Sequence, residues 1–430
     1  MGDVTTDREP GRRRDASPGA RALGLAGRAV ASEAAPGLAR NVAVLGTTAA
    51  FATTWLLAWS PVLALLLQRR GADATAIAAT FAAVNLGTAL AQYAGGLLAD
   101  RVGARLVIGW TGIALGLTWF AMAATSGYWG ALAFFYVVGN TLFGLQSTAF
   151  VTIIADSVTG ELRLQAFSRY QFWNSSALVA GPLLGGLWLL HASPEIYLGA
   201  TGLAYLLVGV VRLASLREPR ALIGAARAPI SAERLVQTTV GDAGRRELVL
   251  LSAGVTLAFA LTVQGPFMPV VAHALDRLPM RFVELCFGIG PFGALAASFL
   301  APRLGGSRRA QGVGLALLAV AVAAMSSPLP PWLLVAAFLV AFAGYQVASV
   351  AYSAQRIALA GSTAVGEVLG ATSAIAGVVA ALGLLAAGAF GDRPALLLGA
   401  LVAMVTAGWH TRSGWRRPGT AAARAHDGRT

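Results

Sequence analysis

Apolar runs long enough to cross a bilayer alternate with short polar breaks along nearly the whole chain. Reading the breaks as loops gives spans over 41–67, 75–98, 106–124, 129–155, 165–190 and 195–214. A second set follows over 248–274, 282–302, 310–326, 331–355, 364–390 and 394–411. Each run supplies the ~20 mostly apolar residues that a membrane helix requires. Between the sets lies a polar linker, 215–247, with Arg217, Arg220, Arg227, Arg234, Arg245 and Arg246. The pattern predicts an all-α membrane protein of twelve helices in two six-helix halves, 41–214 and 248–411. Polar tails cover 1–40 and 412–430. The first tail is rich in Arg, Ala, Gly and Pro and has no apolar centre, so it reads as a disordered cytoplasmic segment rather than a cleavable signal.

Composition agrees. The 430 residues are 57% hydrophobic and 12% charged, with mean hydropathy +0.68, whereas soluble domains carry about 25% charged residues. The net charge of +13 could point to nucleic acid, but its placement points to topology. All 32 basic residues are Arg. With both termini cytoplasmic, only Arg69, Arg70, Arg277, Arg281 and Arg393 fall outside, which satisfies the positive-inside rule for a multi-pass protein of the cytoplasmic membrane. The charge therefore needs no nucleic-acid partner.

Little speaks for an enzyme. The one cysteine, Cys286, excludes an intramolecular disulfide and a cysteine metal cluster, and it reads as a buried packing residue. His191, His273, His410 and His426 are scattered without metal-ligand spacing. A chain without Lys cannot form the phosphate loop of an ATPase. No metal or cofactor is expected.

The two halves are related. "LADRVG", from Leu98 to Gly103, recurs as "LAPRLG", from Leu300 to Gly305. Small residues four apart mark equivalent helices: Gly87, Ala91 and Gly95; Ala177, Gly181 and Gly185; Gly290, Ala294 and Ser298; Gly366, Gly370 and Ala374. Such stripes let membrane helices approach closely.

The loop between spans 2 and 3 reads "GGLLADRVGARLVI", residues 95–108. Gly103 suits a tight turn between antiparallel helices. A carboxylate at Asp100 suits pairing with Arg or with a helix N-terminus. The segment resembles the G-x-L-x-D-R-x-G-R-R loop of the major facilitator superfamily, matched at Gly95, Leu97, Asp100, Arg101, Gly103 and Arg105, with Ala104 replacing a basic residue. The resemblance covers residues 40 to 412. It implies a cytoplasmic latch in which Asp100 docks near the start of span 11, at Ser362–Thr363, and Arg101 or Arg105 pairs with Asp156. Pro302 replaces the second-half counterpart of Asp100, so the acidic part of the latch lies in the first half only.

Span 5 ends in Gly181, Pro182, Gly185 and Gly186, which resembles the G-P-x-x-G-G segment of drug exporters in this superfamily; Ala177 and Ser168 stand where glycines are usual. Ordinary helix packing is the alternative reading. Asn140 occupies the place of a buried span 4 Arg found in many proton-coupled members, so that residue's role does not carry over.

The fold that the resemblance implies binds substrate at mid-membrane between the halves. Polar and aromatic residues at that depth are Thr54, Trp55, Asn140, Gln146, Trp173, Asn174, Gln264, Phe267, Tyr345 and Gln346. Each could instead serve helix packing or interhelical hydrogen bonding. No acid stands at the centre of a span; Glu284, one turn into span 8, is the candidate proton site, with Arg281 as its expected ion-pair partner. Glu367 opens span 11. Together these features predict a monomeric secondary transporter of a small amphipathic or hydrophobic organic molecule. It would work by alternating access, as an exporter coupled to protons. A metabolite or sugar uptake permease is the alternative within transporters, and a membrane-embedded enzyme the alternative outside them.

Overall fold

The computed structural model describes residues 39–157, 162–188, 193–218, 243–276, 278–304, 308–360 and 365–413. These residues form the helices of twelve spans. Span 1 comprises Ala39–Leu57, a 3-10 turn at Ser60–Val62 and Leu63–Arg69; spans 2 to 6 are Ala74–Val102, Ala104–Ala124, Trp129–Ser157, Leu162–Trp188 and Pro194–Ser215. Span 7 comprises Ala243–Leu261 and Phe267–Asp276; spans 8 to 12 are Met280–Leu304, Arg308–Met325, Pro331–Ala360, Val365–Gly388 and Asp392–Ser413. Nine described helices are long and apolar enough to cross a membrane; spans 7 and 11 contribute the shorter apolar helices Val249–Leu261 and Thr372–Gly388. Helices suit this setting because every backbone group is satisfied within its own segment.

The halves repeat one packing scheme. Span 1 packs on span 5, span 2 on span 4 and span 3 on span 6; the second half repeats this as 7 on 11, 8 on 10 and 9 on 12. The halves meet through spans 2 and 11 and through spans 5 and 8. One face of the bundle carries the turn at Gly103 and is here termed the motif face. The opposite, far face carries the turns at Gly71 and Gly391.

The turn at Gly103 needs glycine twice over. Its φ is +95°, a left-handed backbone that other residues adopt only with strain, and it joins span 2 to span 3 in a single residue. A Cβ there would also lie 3.0 Å from the Glu218 carboxylate. That carboxylate accepts from the backbone N–H groups of Ala104 and Arg105, each at 2.9 Å, and so caps the N-terminus of span 3.

Two departures from the sequence reading stand out. Spans 1 and 7 are broken rather than continuous. Pro61 and Pro266 each lack the N–H that would continue the helix, and they occupy equivalent places in the two halves. Span 7 also begins at Ala243, so 243–247 is helical rather than linker.

The small-residue stripes form seams within each half. Gly95 approaches span 4, where an added Cβ would lie 2.2 Å from the Leu145 carbonyl oxygen. Gly181 and Gly185 press on span 1; a Cβ on Gly185 would lie 2.0 Å from the Ala58 oxygen. Gly290 faces Phe342 of span 10. Ser298, Gly366 and Gly370 lie outside the side chains described.

The seams between halves use other residues. Gly377 and Gly388 of span 11 meet Ala89 and Ala78 of span 2. Spans 5 and 8 interlock reciprocally: Leu183 covers Gly288, and Leu285 covers Gly186. All four contacts lie between mid-depth and the far face. The buried core follows suit. One cluster holds residues of both halves, and its first-half members run from the far face to mid-depth. Toward the motif face lie two further clusters, one wholly in the first half and one wholly in the second.

Candidate functional site

The two helix breaks place most of the candidate residues. At the span 1 break, Trp59 is 4% exposed, and its indole N–H donates to the Thr201 hydroxyl at 3.0 Å. Thr201 in turn donates to the Trp55 carbonyl, a group freed by the break, at 3.0 Å. The Trp59 ring meets Trp119 and Tyr136 edge-on, at centroid distances of 5.5 and 6.0 Å. An indole thus fills the first break and satisfies its polar groups.

At the span 7 break the polar side chain turns outward. Gln264 is exposed, and its amide donates to the Tyr345 hydroxyl of span 10 at 2.7 Å. The Tyr345 ring stands edge-on to Phe259 at 4.5 Å. Gly265 is required here, since a Cβ would overlap the Ala260 carbonyl oxygen.

Thr54, Trp55, Asn140, Trp173, Asn174, Tyr345 and Gln346 are half-buried, each retaining an accessible surface. Asn140 donates to the Tyr136 carbonyl at 2.8 Å within its own helix. Trp173 of span 5 lies against Gly46 of span 1, where a Cβ would be 2.5 Å from the indole. Two candidates face inward instead. Phe267 is 1% exposed and packs in the core beyond the break. Gln146 is buried and accepts from Arg212 at 3.1 Å.

Arg212 is a buried cation that the sequence reading did not single out. It lies in the last turn of span 6 and is 1% exposed. Its Nε donates to the Thr48 hydroxyl at 2.9 Å, and its guanidinium sits 4.7 Å above the Phe150 ring. Span 12 places His410, also fully buried, at the equivalent position. Spacing alone could have revealed the pair, since each stands nineteenth in a 22-residue span.

At the motif face, Arg105 has a backbone partner. Its guanidinium donates to the Leu213 carbonyl at 2.9 Å, because that unpaired acceptor at the end of span 6 lies directly beside it. Arg101 is exposed. The side chains of Asp100, Asp156 and Glu367, and residues Ser362 and Thr363, lie outside what is described. Asn41 and the Glu218 cap complete this face: Asn41 donates to Ser157 at 3.0 Å and to the Arg217 carbonyl at 2.8 Å, and accepts from the Arg217 N–H at 2.9 Å. These bonds tie spans 1, 3, 4 and 6 into one block.

Glu284 is 0% exposed, and neither carboxylate oxygen has a hydrogen-bond partner. Arg281, the expected partner, is exposed to solvent and makes no ion pair with it. The helix turns Glu284 toward the seam with span 5, whereas Arg281 at its first turn faces outward.

The sequence profile of the Major Facilitator Superfamily matches residues 43–384. No curated protein sequence matches the chain. Solved structures match its fold. One is the nucleoside transporter NupG, at TM-score 0.67 and 13% identity, covering 88% of this chain and 99% of that one; its D323A mutant gives TM-score 0.68 and 14% identity, over 86% and 99%. Another is the human organic anion transporter MFSD10 (TETRAN), at TM-score 0.66 and 17% identity, over 89% and 99%.

Proposed function

The chain belongs to the Major Facilitator Superfamily, a multi-pass secondary transporter rather than an enzyme, and from that premise we propose that it exports a small amphipathic organic molecule in exchange for protons. The observation that carries this reading is the asymmetry of the core. The one buried cluster with residues of both halves takes its first-half members from the far face to mid-depth only, and toward the motif face each half has a further cluster of its own. With the motif face cytoplasmic, as the arginine distribution favours, the described glycine contacts between the halves lie on the outer side of the bundle. Gln264 is exposed and Trp55, Asn140, Trp173, Asn174, Tyr345 and Gln346 are half-buried, and in this reading they line the space between the halves. That lining is aromatic and amide in character, and it suits a neutral or weakly polar molecule with an apolar body. The exporter direction rests on the Gly181–Gly186 segment seated on the span 1 break.

Flux in proteoliposomes tests this. An acidic outer medium should drive an amphipathic dye out of the motif-face compartment, with a nucleoside and an organic anion as competitors. Accumulation in the opposite direction would replace export by uptake. Indifference to the pH gradient would remove proton coupling. The latch is tested separately: Asp100→Asn should lower turnover strongly while membrane levels stay normal, and wild-type turnover would remove it.

A further inference from the structure

Glu284 and the interlock beside it carry a second inference, which rests on the alternating-access reading. Glu284 lies one turn before Gly288 on the same helix face, and Gly288 is the hole that Leu183 of span 5 fills. Its neighbour Leu285 covers Gly186. Tyr197 of span 6 lies within electrostatic reach of Glu284, and its hydroxyl donates to the Gly185 carbonyl at 3.1 Å. The carboxyl group is thus enclosed where the two halves meet, with both oxygens unpartnered.

Among the described residues, the groups around it do not supply a counter-charge. From span 6 it faces the Tyr197 phenol. Span 5 presents Leu183 and Gly186 there. On its own helix Arg281 is exposed and Cys286 is buried two residues on. In span 7, His273 is engaged with the Leu278 carbonyl. The nearby Arg70–Glu195 pair, at 3.2 Å, is satisfied within the first half. Enclosing an unpaired carboxylate in a dry seam is strongly unfavourable, whereas a neutral carboxylic acid pays far less.

We propose that Glu284 is a proton-operated bolt in the outer seal: the seam between spans 5 and 8 closes over the neutral acid and opens when the carboxylate forms. The balance is one proton: the carboxylate takes it from the outer medium as the seam closes and returns it to the outer medium as the seam parts.

The seam can be read directly by thiol labelling. In a Cys286→Ala background, a cysteine at Leu285 or at Leu183 is treated from outside with a membrane-impermeant maleimide. Rates are normalised to a cysteine at exposed Tyr128. With Glu284 present, labelling should be several-fold faster in alkaline than in acidic outer medium. Glu284→Gln should hold labelling low in both, and Glu284→Asp should restore the dependence. Unchanged pH dependence in Glu284→Gln overturns the bolt. A pH-dependent seam with flux indifferent to the gradient upholds the bolt and defeats proton exchange. Gradient-driven flux with a pH-indifferent seam does the reverse.

Discussion

The two helix breaks begin from the same covalent cause and end in different chemistry. Pro61 and Pro266 interrupt spans 1 and 7 at equivalent places. The first break is filled by Trp59, whose indole bonds Thr201 and packs on Trp119 and Tyr136. The second leaves Gln264 exposed, with Tyr345 as its side-chain partner among the described residues. A repeat can thus keep its backbone interruption while one copy becomes core and the other keeps a polar group available for a ligand. The first break should govern stability and the second substrate affinity.

The sharpest way to break this contrast is at the seat of the first break. Gly185→Leu should abolish the folded protein, because a Cβ would already fall 2.0 Å from the Ala58 carbonyl oxygen. Monodisperse, active protein in detergent would show that span 1 can move away from span 5. Trp59→Ala should come next, costing about 3–5 kcal/mol by the usual loss for a buried Trp. Thermal unfolding in detergent measures it, and an unchanged midpoint would remove the plug from the account.

The second break predicts the opposite profile. Gln264→Leu should leave stability within about 0.5 kcal/mol while weakening substrate affinity roughly tenfold, equivalent to ~1.4 kcal/mol. A lowered melting midpoint with unchanged affinity would make Gln264 a second structural plug. The smallest change is Tyr345→Phe, which removes one interhelical hydrogen bond of ~0.6 kcal/mol. It should weaken affinity roughly threefold, measured by competition with the same dye.

Much of this architecture was legible in the sequence. Hydropathy located all twelve spans, and the "LADRVG" repeat and the motif loop identified the fold. The breaks were missed because hydropathy is blind to a missing N–H, although Pro61 and Pro266 both stood in plain view. Arg212 stands inside the predicted sixth span, and only the fold shows that it is buried there with Thr48 and Gln146 as partners. Arg105 donates to the Leu213 carbonyl, and a backbone carbonyl has no mark of its own in a sequence. Glu218 gave no sign either, since its capping role exists only once the chain returns to the Gly103 turn. Glu284 was found by elimination, but its solitude was not: Arg281 stands at helical spacing, and only the fold reveals that the two diverge.

The interlock of Leu183 with Gly288 and Leu285 with Gly186 has a consequence for how abruptly the halves can part. Methyl groups against glycine backbone are held by dispersion alone, each atom pair contributing only ~0.1–0.2 kcal/mol, and a gap of about 1 Å forfeits a large part of it. Such a joint has almost no reach. It resists fully while seated and hardly at all once lifted, with no hydrogen bond to stretch and no intermediate separation to favour. Its short range makes the far-face junction behave as a snap closure rather than a spring, and it disposes the pair of halves toward discrete positions instead of a continuum.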